Sequence, residues 1–144
     1  MPSMVVPIAF LILLVGSSAF AFWKGDQSLR LVAAIVLVGS ILSALAQTRA
    51  PDPWHYGEIG TLLVDFSMLG AFGAIMFSSN RFWPIWMTAA QLLTVVAHFG
   101  PVLRHSHIAI PFAISEQIWS WFILVQLIVA TALHHHSLVN SRAP

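Results

Sequence analysis

"LLVDFSMLGAFGAIMFSSNRFWPIWMTAAQLLTVVAHFG", residues 62–100, decides the fold. Two apolar runs, about 61–77 and 82–99, flank the short polar link Ser78-Ser79-Asn80-Arg81. Each run approaches the ~20 residues that span bilayer hydrocarbon as a helix. In lipid every backbone N–H and C=O needs a partner within its own segment, so these runs form helices and not open strands. The tight link makes them an antiparallel hairpin. Residues at one depth then have numbers adding to about 163, a condition that Asp65 and His98 meet.

Gln91, Thr94 and His98 stand at i, i+3 and i+7, one face of one helix, and Thr61 and Asp65 form a matching face at i and i+4. An ionised Asp costs about 2.5–3.5 kcal/mol at mid-membrane and less near the interface. Such a face is therefore expected to turn away from lipid, toward the bundle interior or an outward-opening cavity. Other polar residues reach the same level. Glu116 and Gln117 lie near the outer end of a fifth run, and Ser40, Ser43 and Gln47 recur at i, i+3 and i+7 in a second. Asp65, Gln91, Thr94, His98 and Glu116 form the expected polar seam or pocket. Two roles compete for it. Polar seams glue membrane helices together, and an ionisable residue at membrane depth also marks a functional site.

The hairpin is flanked by three more apolar runs, about 4–22, 29–46 and 111–133. The whole chain, 1–144, then reads as a single all-α domain, a polytopic membrane bundle of five transmembrane helices. Four would remain if the first run were cleaved as a signal peptide, since "AFA" at 19–21 mimics a cleavage site. No positive charge precedes that run and it is longer than a usual signal core, which favours its retention. "QTRAPDPWHYGEIG" breaks the chain after the second run, and Gly100-Pro101 stops the fourth. Pro111 suits the first position of the fifth helix.

Composition agrees. Of 144 residues, 58% are hydrophobic and 8% charged, with a net charge of +1. Soluble domains carry about 25% charged residues, so lipid is the expected solvent for most of the surface. Nothing resembles a basic stripe for nucleic acid. Five spans put Lys24, Arg30, Arg81 and Arg142 on one side and Arg49 and Arg104 on the other. That split favours a periplasmic N-terminus and a cytoplasmic C-terminus. Trp23, Trp54, Tyr56, Trp83 and Trp86 fall near run ends, where interfacial aromatics belong.

The chain contains no cysteine, which excludes disulfides and thiolate-based metal sites. Bis-histidine haem needs ligands on facing helices, and only His98 lies within an expected span. His98, His105 and His107 are candidate metal ligands without a specific spacing signature, so no metal is assigned. "HHH" at 134–136 reads as an interfacial anchor at a helix C-terminus. Lys24, the only lysine, sits at a helix end, so no retinal Schiff base fits the bundle.

"LLVDFSMLGA", "RFWPIWMTAAQLLTVVAH" and "ISEQIWSW" also carry a resemblance, over about residues 50–130, to small polytopic membrane proteins of sphingomonads and related alphaproteobacteria. The resemblance implies a bacterial inner-membrane location and no particular activity. With no catalytic signature, the leading expectation is a non-enzymatic accessory or assembly subunit of a larger membrane complex, with the bilayer and other membrane subunits as partners. The alternative is a binder of a small apolar or redox ligand (quinone, haem or pigment) in a pocket around His98 and Asp65. An enzyme using Asp65 and His98 as an acid–base pair comes third.

Overall fold

A computed structural model describes the backbone of residues 2–49, 56–99 and 109–141, and the side chains of 5–48, 59–99 and 117–141. The described residues form five helices: α1 (Pro2–Lys24), α2 (Gln27–Arg49), α3 (Tyr56–Ser78), α4 (Trp83–His98) and α5 (Ala109–Asn140). Four of them contain the expected runs and extend beyond them, while α4 is one residue shorter than its run at each end. Hydropathy marks what lipid tolerates, whereas a helix continues until its backbone is capped or broken. Gln47, Thr48 and the polar stretch from His134 to Asn140 therefore stay helical. Pro111 falls within the first turn of α5, where an amide has no intrahelical partner to lose.

Two short links gather at one end of the bundle, here the turn end. Between α1 and α2, Asp26 Oδ1 accepts the Leu29 amide at 3.0 Å and caps α2. Beside it, a Cβ on Gly25 would run into the Ala21 carbonyl, so the turn admits glycine alone. Between α3 and α4, Arg81 Nη1 reaches back to Asp26 Oδ2 at 2.9 Å and lies 3.3 Å from His134 Nδ1 on α5. One guanidinium thus ties three elements at this end.

Consecutive helices run antiparallel and pack in order around a ring, which α5 closes by lying against α1 as well as α4, with α2 touching α5 across the middle. Among the described residues four helical segments are long and apolar enough to cross a membrane: Val5–Lys24, Gln27–Thr48, Ile59–Ser78 and Gln117–Asn140. α4 has 16 residues and a length of about 24 Å, short of the ~30 Å hydrocarbon core. The outer surface is apolar. On α1, Leu11 is 58% and Ile12 69% exposed, alongside exposed Ile8 and Val15 on the same face. These are the features of a multi-pass membrane protein.

The apolar core occupies the half of the bundle nearer the turn end. Leu14, Leu29, Val32, Phe72, Met87, Leu124 and Leu127 are buried there in one cluster. Lipid tails are as apolar as these side chains, so close packing and hydrogen bonds, more than water exclusion, hold the helices together. Small residues permit the approach. Gly60 leaves α3 so near α2 that a Cβ would lie 2.8 Å from that of Ala46. The other half of the bundle, toward His98, is filled differently.

Candidate functional site

Asp65 is the centre of that half. It lies nine residues along α3 from Tyr56, about 14 Å at 1.5 Å per residue. The apolar run begins at about Thr61, which would put Asp65 about one turn from its end. The helix begins earlier than the apolar run, so the carboxylate sits deeper. His98 Nε2 lies 2.8 Å from Asp65 Oδ2. Gln91 Nε2 donates to Asp65 Oδ1 and to the Asp65 carbonyl, both at 3.1 Å. α4 thereby engages both carboxylate oxygens. The side chains are screened from solvent, His98 at 6% and Asp65 at 14% exposure. Hydrogen bonds of this kind offset the desolvation that would otherwise make an acid here costly.

The other expected members divide. Thr94 is buried on the same face but donates to the Ala90 carbonyl at 3.1 Å, within its own helix. A short β-branched hydroxyl reaches that i−4 acceptor more easily than a neighbouring helix. Thr94 packs the seam and is not part of the Asp65 network. The side chains of Glu116, His105 and His107 lie outside the described residues. Among the described residues no three His, Asp or Glu side chains come together as a metal site would require.

In front of Asp65 lies a cavity of about 390 Å³ to which all five helices contribute. Small-molecule sites typically enclose roughly 300–1,000 Å³. Ser40, Ser43 and Gln47 from α2, Thr61 and Asp65 from α3, Gln91 from α4 and Ser120 from α5 supply its polar groups. Val36, Met68, Ile123 and Leu124 line its apolar part, on the side of the core. Phe10 completes the wall, packed edge-on against Trp121 with ring centroids 5.8 Å apart. The cavity is therefore amphipathic along its depth, polar toward the His98 end and apolar toward the turn end.

Two features depart from the sequence reading. His98 and Thr94 do not line the cavity, and His98 backs the carboxylate from behind. Ser120 does line it and was missed. The signal was present: Ser120 shares a helical face with the buried Ile123, Leu124, Leu127 and Thr131. Comparison with known proteins finds no matching family model, no matching curated protein and no matching solved structure.

Proposed function

We propose that this is a five-span protein of a bacterial inner membrane that holds a small apolar or redox-active ligand in the cavity beside Asp65. The carrying observation is the cavity itself: five helices line one half-open space, with polar groups around Asp65 and apolar ones toward the core. A bundle that needed only glue would close such a space with side chains. In this reading α4 is the fifth span. It pairs with α3 from the Arg81 link to the Asp65–His98 contact, and Phe82 and Phe99 extend its apolar length. The turn end, with Lys24, Arg30 and Arg81, faces the cytoplasm, and the N-terminus is periplasmic.

Asp65 and Gln91 Oε1 present hydrogen-bond acceptors to the ligand, Ser40 and Ser43 present hydroxyls, and His98 fixes the carboxylate's orientation. Among the three ligand classes raised by the sequence, haem fits least. The one histidine in this half of the described bundle is turned to Asp65 and lies off the lining. An acid–base enzyme fits less well for the same reason, because only one of the two groups fronts the cavity.

The test is extraction of the protein purified in mild detergent, with an absorption spectrum and mass spectrometry of the extract. Wild type should carry a stoichiometric small molecule. Ser43→Phe, which fills the cavity from a partly buried lining position, should lose it with unchanged helix content. A ligand-free wild-type protein would sink the proposal.

The accessory-subunit reading has one observation of its own. Gly16, Gly70 and Gly73 have open space where a Cβ would stand. Such faces admit close approach by a further helix. Under that reading other membrane subunits co-purify in stoichiometric amount, and Gly73→Leu releases them without altering the bundle.

A further inference from the structure

A second concavity adjoins the first. Between α2 and α3, on the bundle's outer surface, an apolar groove of about 440 Å³ is lined by Val38, Leu42, Leu63 and Ser67, together with Gly39 and Met68. Gly39 and Met68 also line the polar cavity. The Met68 side chain and the Gly39 backbone therefore border both the outer groove and the interior cavity. Gly39 leaves room for Met68, whose side chain would have to shift to admit a Cβ at that position. Methionine has three rotatable side-chain bonds and adapts to irregular space, so this is the wall's most movable element.

We infer that the cavity is loaded sideways from the bilayer between α2 and α3, and that its occupant is a lipid-soluble molecule with an uncharged hydrogen-bonding head and a single apolar chain. The inference rests on the cavity being a ligand site, and it names the ligand's class. The head occupies the space before Asp65 and Gln91, and the chain leaves over Met68 to lie in the groove. Asp65 and Met68 are three residues apart on α3, a rise of about 4.5 Å, so a head at the carboxylate has its chain already at the wall.

The polarity of the two spaces matches such a molecule. The groove offers one hydroxyl, Ser67, and that is turned to the Leu63 carbonyl at 2.8 Å. The cavity offers hydroxyls, an amide and a carboxylate, and among the described residues neither space is lined by Lys or Arg. A phosphate head would meet the like charge of the Asp65 carboxylate. A phenol- or quinol-type ring donates its hydroxyls to Asp65 and Gln91 Oε1, and a quinone-type ring accepts from the Ser40 and Ser43 hydroxyls.

The test compares two probes, benzoquinone and the same ring bearing a decyl chain, on the full chain in lipid nanodiscs. Binding is read by quenching of tryptophan fluorescence, since Trp121 packs on Phe10 of the cavity wall. The absence of cysteine removes thiol addition as a side reaction. Val38→Phe with Ser67→Leu fills the groove from exposed positions. It should weaken the chain-bearing probe about tenfold, a typical overpacking effect, and leave the bare ring unchanged. Met68→Ala should speed association of the chain-bearing probe and not of the ring. Equal affinity of the chain-bearing probe for wild type and the groove-filled variant would overturn lateral loading, as would equal losses for both probes. If neither probe binds wild type, the quinone-type assignment falls. If the purified protein is also ligand-free on extraction, the cavity reading falls with it.

Discussion

His98 closes α4 and Asp65 lies in the third turn of α3, yet ring Nε2 and carboxylate Oδ2 are 2.8 Å apart. The contact joins the two helices within the polar half of the bundle. Removing one partner leaves the other with an unmet polar group, which costs more than removing both. Asp65→Leu should therefore destabilise the protein, and adding His98→Leu should recover part of the loss. Pairwise couplings between membrane helices run at about 0.5–2 kcal/mol. Thermal unfolding of the four cycle members in detergent measures the term. Strict additivity would mean that the contact contributes no coupling.

Asp26 and Arg81 should not be equivalent, although they form one ion pair. Arg81 is 44% exposed in its side chain, and pairs of that exposure contribute about 0–1 kcal/mol. Asp26 also caps α2 through the Leu29 amide, and losing such a cap costs about 0.5–2 kcal/mol. Asp26→Ala should lower the melting temperature more than Arg81→Ala. Asp26→Ser, which keeps a capping oxygen and removes the charge, should resemble Arg81→Ala. A ranking with Arg81→Ala lowest would show that the guanidinium, with its reach to His134, is the stronger tie.

The Asp65–His98 meeting was legible because a tight link fixes helix register, and two residue numbers then decide depth. Gln91 was legible by the same periodicity. Periodicity also put Thr94 on that buried face, but it does not say which acceptor a hydroxyl chooses, and its own helix offered one nearer. Helix ends were misjudged for a related reason: the sequence marks where lipid-compatible side chains stop, and α3 continues past that point to Tyr56. That shift moved Asp65 inward. The wall at Gly39 and Met68 needs the α2–α3 separation, which no spacing within one helix contains. Ser120 needed only the register of α5.

Ser17 and Ser18 provide a control for buried hydroxyls on one helix. They are 1% and 2% exposed. Ser17 donates to the Leu14 carbonyl at 3.2 Å, whereas Ser18 Oγ has no hydrogen-bond partner among the described residues. An unmet buried polar group costs about 1–3 kcal/mol. Ser18→Ala removes it with little change in volume and should raise stability, by up to about 1 kcal/mol once the small lost contact is counted. Ser17→Ala should be neutral or slightly destabilising. The comparison is made by thermal unfolding of the two variants, and a destabilised Ser18→Ala would show that the hydroxyl has a partner in the membrane.

The orientation of the bundle can be read from its C-terminus. Each of the five helices reverses the chain, so the two termini lie on opposite faces if α4 crosses. Lys24, Arg30 and Arg81 cluster where the short links are, beside His134 at the end of α5. Positive residues flanking spans are retained on the cytoplasmic side. A fluorescent protein fused after Pro144 should therefore fold and fluoresce in cells, and alkaline phosphatase at the same position should be inactive. Fusions in the link at Asn80 should behave alike, because that link shares the turn end. Active phosphatase at both positions would invert the bundle. Activity at one position alone would mean that α4 or α5 does not cross, with Asn80 identifying which face the hairpin occupies.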